Sequence, residues 1–387
     1  MRGEDSLVVL PTGRGKSLCY QIPALIPPSQ GGTKGGLTVV VCPLIALMKD
    51  QVDAANRRGI PAAFLNSQQS PREQEDVGRR AMHGDLCLLY ISPERILKPD
   101  TLTLLHRCHL DAFVIDEAHC IASWGHDFRP DYQRLLELRV IFPGVRINAF
   151  TATATPQVRD QIIHGLALRT PTLIIGDVFR PNLRLSVEER TADDNFDLLC
   201  FVAEHGSQAG IIYCSTRQQT EYIAQLIRVL PIQVAAYHAG LDDETRPSVQ
   251  ERFMRGELQI IVATVAFGMG IDRPDVRYVL HSSMPSSIDQ YHQEIGRAGR
   301  DGKRADCVIF HHPHDVARWD ELFAASGLDD ERLAVKTTHL NHMAEFCTES
   351  ICRHAQLADY FGQSPSPLTK GGPQGGSSSD ALCNACD

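Results

Sequence analysis

The sequence predicts an α/β fold of two tandem, doubly wound parallel-sheet lobes followed by a small helical appendage that is part of a zinc-binding element. Three observations carry this expectation. The 387 residues suffice for two cores of about 150 to 200 residues each, with a remainder. Short apolar runs alternate with helix-like stretches along most of the chain, the pattern of strands joined by helical crossovers. Four of the 12 cysteines, Cys347, Cys352, Cys383 and Cys386, crowd the C-terminal end.

The first apolar run, 7–10, leads into Pro11-Thr12-Gly13-Arg14-Gly15-Lys16-Ser17 and then the helical stretch LCYQIPAL. Strand, glycine loop, Lys-Ser and helix in this order make a phosphate cradle. Backbone N–H groups from Thr12 to Ser17 and the helix N-terminus face the phosphates, Lys16 reaches the β and γ oxygens, and Ser17 holds Mg²⁺. The strict motif has glycine at position 10, where this chain has Leu10. The match is therefore to a looser form, and taken alone a chance Gly-Lys-Ser turn competes with it.

Strand-like runs follow at 38–42, 86–92, 112–118 and 146–154. The third, AFVIDEA, ends in two carboxylates. Asp116 at a strand end is placed to hold Mg²⁺ through water, and Glu117 to orient or deprotonate an attacking water. A strand end capped by two solvated acids is the alternative for Asp-Glu alone; the upstream Lys-Ser loop decides for catalysis. His119 then senses the nucleotide or the opposite lobe.

The punctuation Arg180-Pro181-Asn182 marks the boundary between lobes. A second set of strand-like runs occupies 209–214, 233–238, 259–264, 276–281 and 305–311. Between the last two lies QYHQEIGRAGR, which reads as one helical face carrying Gln293, Arg297 and Arg300. The small residues Gly296, Ala298 and Gly299 allow a partner close to the backbone. The expected partner is a triphosphate bound by the upstream loop, in a cleft between the lobes.

Composition narrows the function classes. With 38 basic and 47 acidic residues the net charge is -9, so there is no global basic footprint, and any DNA contact is a local, salt-sensitive groove. The sequence contains no apolar run of about 18 residues and no signal-peptide pattern, so the expectation is a soluble intracellular protein, cytoplasmic or nuclear, with no membrane partner. Eight cysteines scattered singly among apolar runs read as reduced core thiols. Cys383 and Cys386 have the spacing of a zinc knuckle. The stretch 364–379, SPSPLTKGGPQGGSSS, reads as a flexible linker.

Taken together, PTGRGKS, VVCPLIALMKDQV, DEAHCIASWGHDFRPDYQRL, FTATATPQV, IIYCSTR, YHAGL, ATVAFGMGIDRPDVRYVLH and QEIGRAGRDG occur in one order along the chain. In that order they resemble the RecQ family of DNA helicases, in helicase superfamily 2. The resemblance implies two RecA-like lobes, 1–179 and 180–325, and a partial zinc-binding subdomain, 326–387. It implies an ATP- and Mg²⁺-dependent motor that moves 3′ to 5′ on single-stranded and forked DNA, in repair and recombination, as a monomer. It further implies that Thr151 and Thr153 link ATP state to lobe closure, that Arg300 with Arg297 neutralises the transferred γ-phosphoryl, and that Trp124, His126, Phe128 and Arg129 couple DNA occupancy to the acidic pair.

Zinc is implied on Cys352, Cys383 and Cys386, with Cys347 as a possible substitute for a missing fourth ligand. The chain also departs from the family. Its adenine-reading segment is expected to be missing, because only 12 residues precede Gly13, and Arg14 stands where the family has glycine. A left-handed backbone there would cost about 1 kcal/mol. Two readings follow: a DNA motor intact in its hydrolytic residues, and a truncated product or pseudo-enzyme that binds or anneals DNA without productive hydrolysis.

Overall fold

The computed structural model describes residues 4–26, 36–43, 45–122, 128–190, 194–268, 273–363 and 386. The chain divides into two compact units, Met1–Gly176 and Asp177–Asp387.

Unit 1 is built on seven strands: β1 (Ser6–Val9), β2 (Leu37–Val41), β3 (Ala62–Leu65), β4 (Leu88–Ile91), β5 (Leu110–Ile115), β6 (Arg146–Thr151) and β7 (Thr172–Ile175). They pair in the order β3-β4-β2-β5-β6-β1-β7, every pair parallel. Helices cover both faces, so the central strands are continuous apolar runs. Along β2, Val39 and Val41 enter one core cluster and Val40 the other, as the two-residue period of a strand buried on both faces requires. The buried Asp5 ties the sheet together at the start of β1. Its carboxylate accepts from the N–H groups of Ile147 at 2.8 Å and Arg169 at 2.7 Å and pairs with Arg139.

Unit 2 carries six strands: β8 (Leu183–Glu189), β9 (Ala209–Tyr213), β10 (Val234–Tyr237), β11 (Ile260–Ala263), β12 (Val276–His281) and β13 (Ala305–His311). Their order is β10-β11-β9-β12-β13-β8, again parallel throughout. Gly210 on β9 is fixed by packing, because a Cβ there would lie 1.9 Å from the Tyr278 ring of β12. The C-terminal helices Asp330–Thr348 and Arg353–Tyr360 have no core of their own. Leu340, Met343, Phe346, Leu357 and Phe361 share one apolar cluster with β12 and β13.

The strand-like runs of the sequence coincide with these strands to within a few residues. β3, β7 and β8 are additional. The first two have only four residues each, and β8 (LRLSVEE) is an edge strand with charged positions between its buried leucines, which dilutes the apolar signal.

The arginine segment departs from expectation. Its helix, Ile288–Ile295, carries Gln293 but ends before both arginines. Arg297 N–H and Ala298 N–H turn to the carbonyls of Glu294 and Ile295, three residues back. Gly299 then adopts φ 55° and its N–H bonds Val276 O at 2.9 Å. Arg297 and Arg300 therefore sit on successive turns, not on one helical face.

Candidate active site

Three loops of unit 1 converge at the carboxyl ends of the adjacent strands β5, β6 and β1. Topology alone gathers the phosphate loop after β1, the acidic pair after β5 and the Thr151–Thr153 segment at the end of β6, the usual ligand edge of a parallel α/β sheet.

In the phosphate loop, Gly13 and Gly15 both adopt φ 81°. Arg14 between them does not; the non-glycine residues with positive φ among those described are Glu117, Ala167 and Thr170. The strain expected at Arg14 is therefore absent, because the flanking glycines take the left-handed turns. Gly15 is the N-cap of the helix Lys16–Ala24, whose cap has no side-chain hydrogen bond. The N–H groups of Lys16 and Ser17 at its start thus lack intrahelical acceptors and suit a phosphate, while Leu18 N–H already bonds Gly15 O at 3.0 Å. Lys16 Nζ donates to Leu10 O at 3.0 Å, which arches the ammonium over the loop.

Asp116 is 8 % exposed. Burial, reinforced by the neighbouring Glu117 carboxylate and only partly offset by Lys16, pushes its carboxyl up to about 7. A buried acid so short of positive charge fits a divalent cation, whose charge would favour the ionised form. Glu117 holds φ 47°, and its N–H donates to Asp116 Oδ1 at 3.0 Å. This left-handed, non-glycine conformation turns consecutive carboxylates apart, a strain of the kind that concentrates at functional sites. Tyr132, which sequence reasoning did not single out, steadies the turn by donating its hydroxyl to Asp116 O at 2.9 Å.

His119 joins two of the loops. Its Nδ1 lies 2.9 Å from Thr151 Oγ1 and 3.3 Å from Glu117 Oε2. Thr151 in turn donates to Thr153 O at 2.9 Å, while the buried Thr153 hydroxyl has no hydrogen-bond partner among the described residues. Ser17 lies one residue into the helix, at the same loop. Arg129 donates to Pro43 O at 3.4 Å, so it braces the end of β2, and Phe128 is half-buried nearby in the chain. Trp124 and His126 lie outside the described residues.

In unit 2, Arg297 is 7 % exposed; burial pushes the Tyr213 phenol up, and the Arg297 charge partly offsets that push. Arg300 is half-buried, with Nε donating to Gly296 O at 3.3 Å. Gln293 is half-buried on the preceding helix. The turn is held from below: Arg180 donates to Ala298 O at 3.0 Å and Gly299 O at 3.1 Å. A buried pair, His281 Nε2 to Glu294 Oε2 at 2.8 Å, anchors the helix that precedes it. The His281–Glu294 pair does not stand out in the sequence, and Arg180 stands out there only as punctuation between the lobes.

At the C-terminal end, Cys352 Sγ and Cys386 Sγ lie 3.7 Å apart, close to the ~3.7 Å separation that two thiolates take on one tetrahedral zinc. His354 Nδ1 is 3.0 Å from Cys386 Sγ, shorter than the roughly 3.5 Å expected between a nitrogen and a sulfur ligand of one zinc. Among the described residues no group of three or more His, Cys, Asp or Glu side chains has metal-holding geometry. Cys347 is buried on the helix Asp330–Thr348, and Cys383 lies outside the described residues. The described thiols therefore supply two ligands and not a closed site.

Three family models match consecutive stretches of the chain: DEAD/DEAH box helicase over 1–162, helicase conserved C-terminal domain over 194–302, and RecQ zinc-binding over 313–387. Among curated proteins, the ATP-dependent DNA helicase RecQ of Pasteurella multocida is 43% identical over 94% of this chain and 56% of its own length. The RecQ-like DNA helicase BLM of Xenopus laevis is 40% identical over 93% of this chain and 27% of its own length. The chain thus spans about half the length of the bacterial relative. Among solved structures, Mycobacterium smegmatis helicase Lhr bound to ssDNA and AMP-PNP matches with TM-score 0.61 at 19% identity, covering 89% of this chain and 54% of that one. Saccharomyces cerevisiae Dbp5 bound to RNA and ADP BeF3 matches with TM-score 0.61 at 15% identity, over 88% and 90% of the two chains. These two likenesses establish the fold. Three consecutive family models and relatives about 40% identical over nearly the whole chain show that it belongs to the RecQ helicase family.

Proposed function

We propose that this chain is the motor of an ATP-driven DNA helicase that moves 3′ to 5′ along single-stranded DNA and opens forked DNA in repair and recombination. The observation that carries the reading is the convergence of Lys16, Asp116 and Glu117 at the ends of β1 and β5, with Asp116 buried and short of positive charge. Polarity and substrate rest on the resemblance to the RecQ helicases, of which the chain spans a part.

ATP with Mg²⁺ supplies the phosphoryl group and the divalent charge. The backbone N–H groups from Thr12 to Ser17 hold the phosphates, Lys16 neutralises the β and γ oxygens, and Ser17 and Asp116 hold the cation. Glu117 orients the attacking water and takes its proton. Arg300, with Arg297 and Gln293, meets charge that develops on the transferred group. The chain His119–Thr151–Thr153 passes the state of the acidic pair to β6, and a hydroxyl without a partner can gain one at little cost when the nucleotide arrives. Trp124, His126, Phe128 and Arg129 report DNA occupancy to the same pair. Zinc is assigned to Cys352, Cys383 and Cys386 in a subdomain of residues 326–387, after a second lobe of 180–325.

ATP hydrolysis by the chain, measured with and without single-stranded DNA, tests the reading. A rate stimulated by DNA and dependent on Mg²⁺ supports it. No hydrolysis under any of these conditions overturns it, and translocation from a labelled 5′ end would overturn the polarity.

A further inference from the structure

The helix Ile288–Ile295, whose end opens into the arginine turn, is gripped by the C-terminal helices as well as by its own sheet. Ile288, Tyr291 and Ile295 share one apolar cluster with Met343 and Phe346 of the helix Asp330–Thr348. Ring contacts close the seam: Tyr291 meets Phe346 at 5.3 Å between centroids, and His292 meets Phe361 at 5.1 Å. Apolar burial has no direction of its own, so it specifies the rotation of one helix against another less strictly than a buried hydrogen bond does.

Such a bond lies at Asp289. This carboxylate, in the first turn of the helix, is 4 % exposed and accepts from Tyr360 Oη at 2.6 Å. Tyr360 ends the helix Arg353–Tyr360, 71 residues along the chain. From the helix Asp330–Thr348, His339 Nδ1 lies 3.1 Å from the same hydroxyl and 3.9 Å from Asp289 Oδ2. Three helices therefore meet at one buried carboxylate. Burial, with the Asp289 charge beside it, pushes the Tyr360 phenol well up, so it stays protonated and remains a donor.

The cost of burying a carboxylate is offset only while its donor stays in place, and a helix turned away from Tyr360 would carry an unpaired charge. The bond thus selects one rotational setting. A helix of 8 residues is about two turns long and moves as a short rod, so an angle set at Asp289 is carried to Gln293 and to the turn that begins after Ile295. At that far end the His281–Glu294 pair holds the helix to β12. The two polar contacts fix it from both ends.

We propose that Tyr360 is a positioning residue for ATP hydrolysis: its hydrogen bond to Asp289 sets the helix Ile288–Ile295 so that Gln293, Arg297 and Arg300 keep the arrangement that phosphoryl transfer needs. Tyr360 touches no substrate and acts through Asp289. The inference rests on the role given above to those three side chains.

Tyr360→Phe deletes the donor and keeps the ring edge-on to Phe361, 5.1 Å between centroids. In the full chain its kcat for DNA-stimulated ATP hydrolysis should fall about 10- to 100-fold, the scale of a displacement of about 1 Å at the reacting groups. KM for ATP, which rests on the phosphate loop, should change by less than about twofold. Asp289→Asn keeps an acceptor for Tyr360 and should retain most of the turnover. The double variant of Tyr360→Phe with Asp289→Leu removes the unpaired charge as well, so its melting temperature should recover toward the parent's while kcat stays low. A merely structural bond would let both recover together. Amide hydrogen exchange adds a readout that needs no turnover: Tyr360→Phe should speed exchange across residues 297–300 and leave the strands of unit 1 unchanged. Absence of hydrolysis by the unmodified chain strikes the motor reading, and exchange then judges the hydrogen bond by itself. The inference is overturned by an unchanged kcat in Tyr360→Phe beside an active parent, by Asp289→Asn as impaired as Tyr360→Phe, by a kcat that recovers with stability in the double variant, or by unchanged exchange across 297–300.

Discussion

The phosphate loop of unit 1 and the arginine turn of unit 2 each depend on a left-handed glycine, for different physical reasons. Gly15 has φ 81°, and a Cβ added there would approach nothing closer than Leu18 Cδ1 at 3.7 Å. Gly299 has φ 55°, and the same Cβ would fall 2.5 Å from Asn182 Nδ2 and 2.7 Å from Lys303 O. The first glycine keeps a concavity open. At the second, the protein fills the concavity itself, since Asn182 Nδ2 donates to both Gly299 O and Lys303 O at 2.9 Å. One region is preorganised around space for a ligand, the other around its own hydrogen bonds, which fix two arginines on a short irregular turn.

The largest expected effects separate the two regions by chemistry. Lys16→Ala or Glu117→Gln should remove DNA-stimulated ATP hydrolysis while the chain stays folded, because each deletes a charge or a water-positioning group and no core contact. Retained turnover in either variant, checked beside circular dichroism, would break the assignment of unit 1. Arg300→Ala should lower turnover by about a thousandfold, the usual scale for a lost arginine finger. An unchanged rate would shift that role to Arg297, which lies deeper.

How much of this was legible in the sequence follows the same division. The phosphate loop, the acidic pair and most strands could be read directly, since a strand, a glycine loop and a helix leave local signatures in residue order. The helical face assigned to Arg297 and Arg300 was wrong. The helix ends at Ile295 because Gly299 escapes to Val276 O on β12, and Arg180 and Asn182, from 117 to 119 residues away, capture the carbonyls of the turn. No local pattern encodes such partners. Tyr132 on Asp116 O and the His281–Glu294 pair were missed for the same reason. The penalty expected at Arg14 also required coordinates, because only the backbone shows which residue of the loop takes positive φ.

A next, smaller effect tests the glycine comparison itself. Gly299→Ala should cost about 2 to 3 kcal/mol, combining a left-handed alanine with a displaced backbone oxygen. Gly15→Ala meets only the conformational part and should cost about 1 kcal/mol, yet it should impair nucleotide binding more. Chemical denaturation and nucleotide titration on both variants measure the two quantities. Equal stability losses would mean that the surroundings of Gly299 relax freely, and the contrast between open and self-filled turns would fall.

The last effect concerns charge, and its sign is opposite to that of an ion-paired carboxylate. The Asp116 carboxyl titrates at about 7 in the folded chain, against 3.8 for an unperturbed aspartate, chiefly because burial disfavours the anion. Between those values the folded state holds the proton more tightly than the unfolded state, so stability falls as pH rises, and the loss is complete above pH 7. Asparagine copies the protonated acid and removes this dependence. Without nucleotide or Mg²⁺, Asp116→Asn should therefore melt higher than the unmodified chain, by little at pH 4 and by on the order of 2 kcal/mol or more at pH 8. Adding ATP and Mg²⁺ should raise the melting temperature of the unmodified chain at pH 8 and do much less for Asp116→Asn, since the cation supplies the charge that burial withholds. A variant that melts lower than the parent at pH 8 would show that the Asp116 anion is stabilised in the folded chain, and the cation assigned to it would lose its physical basis.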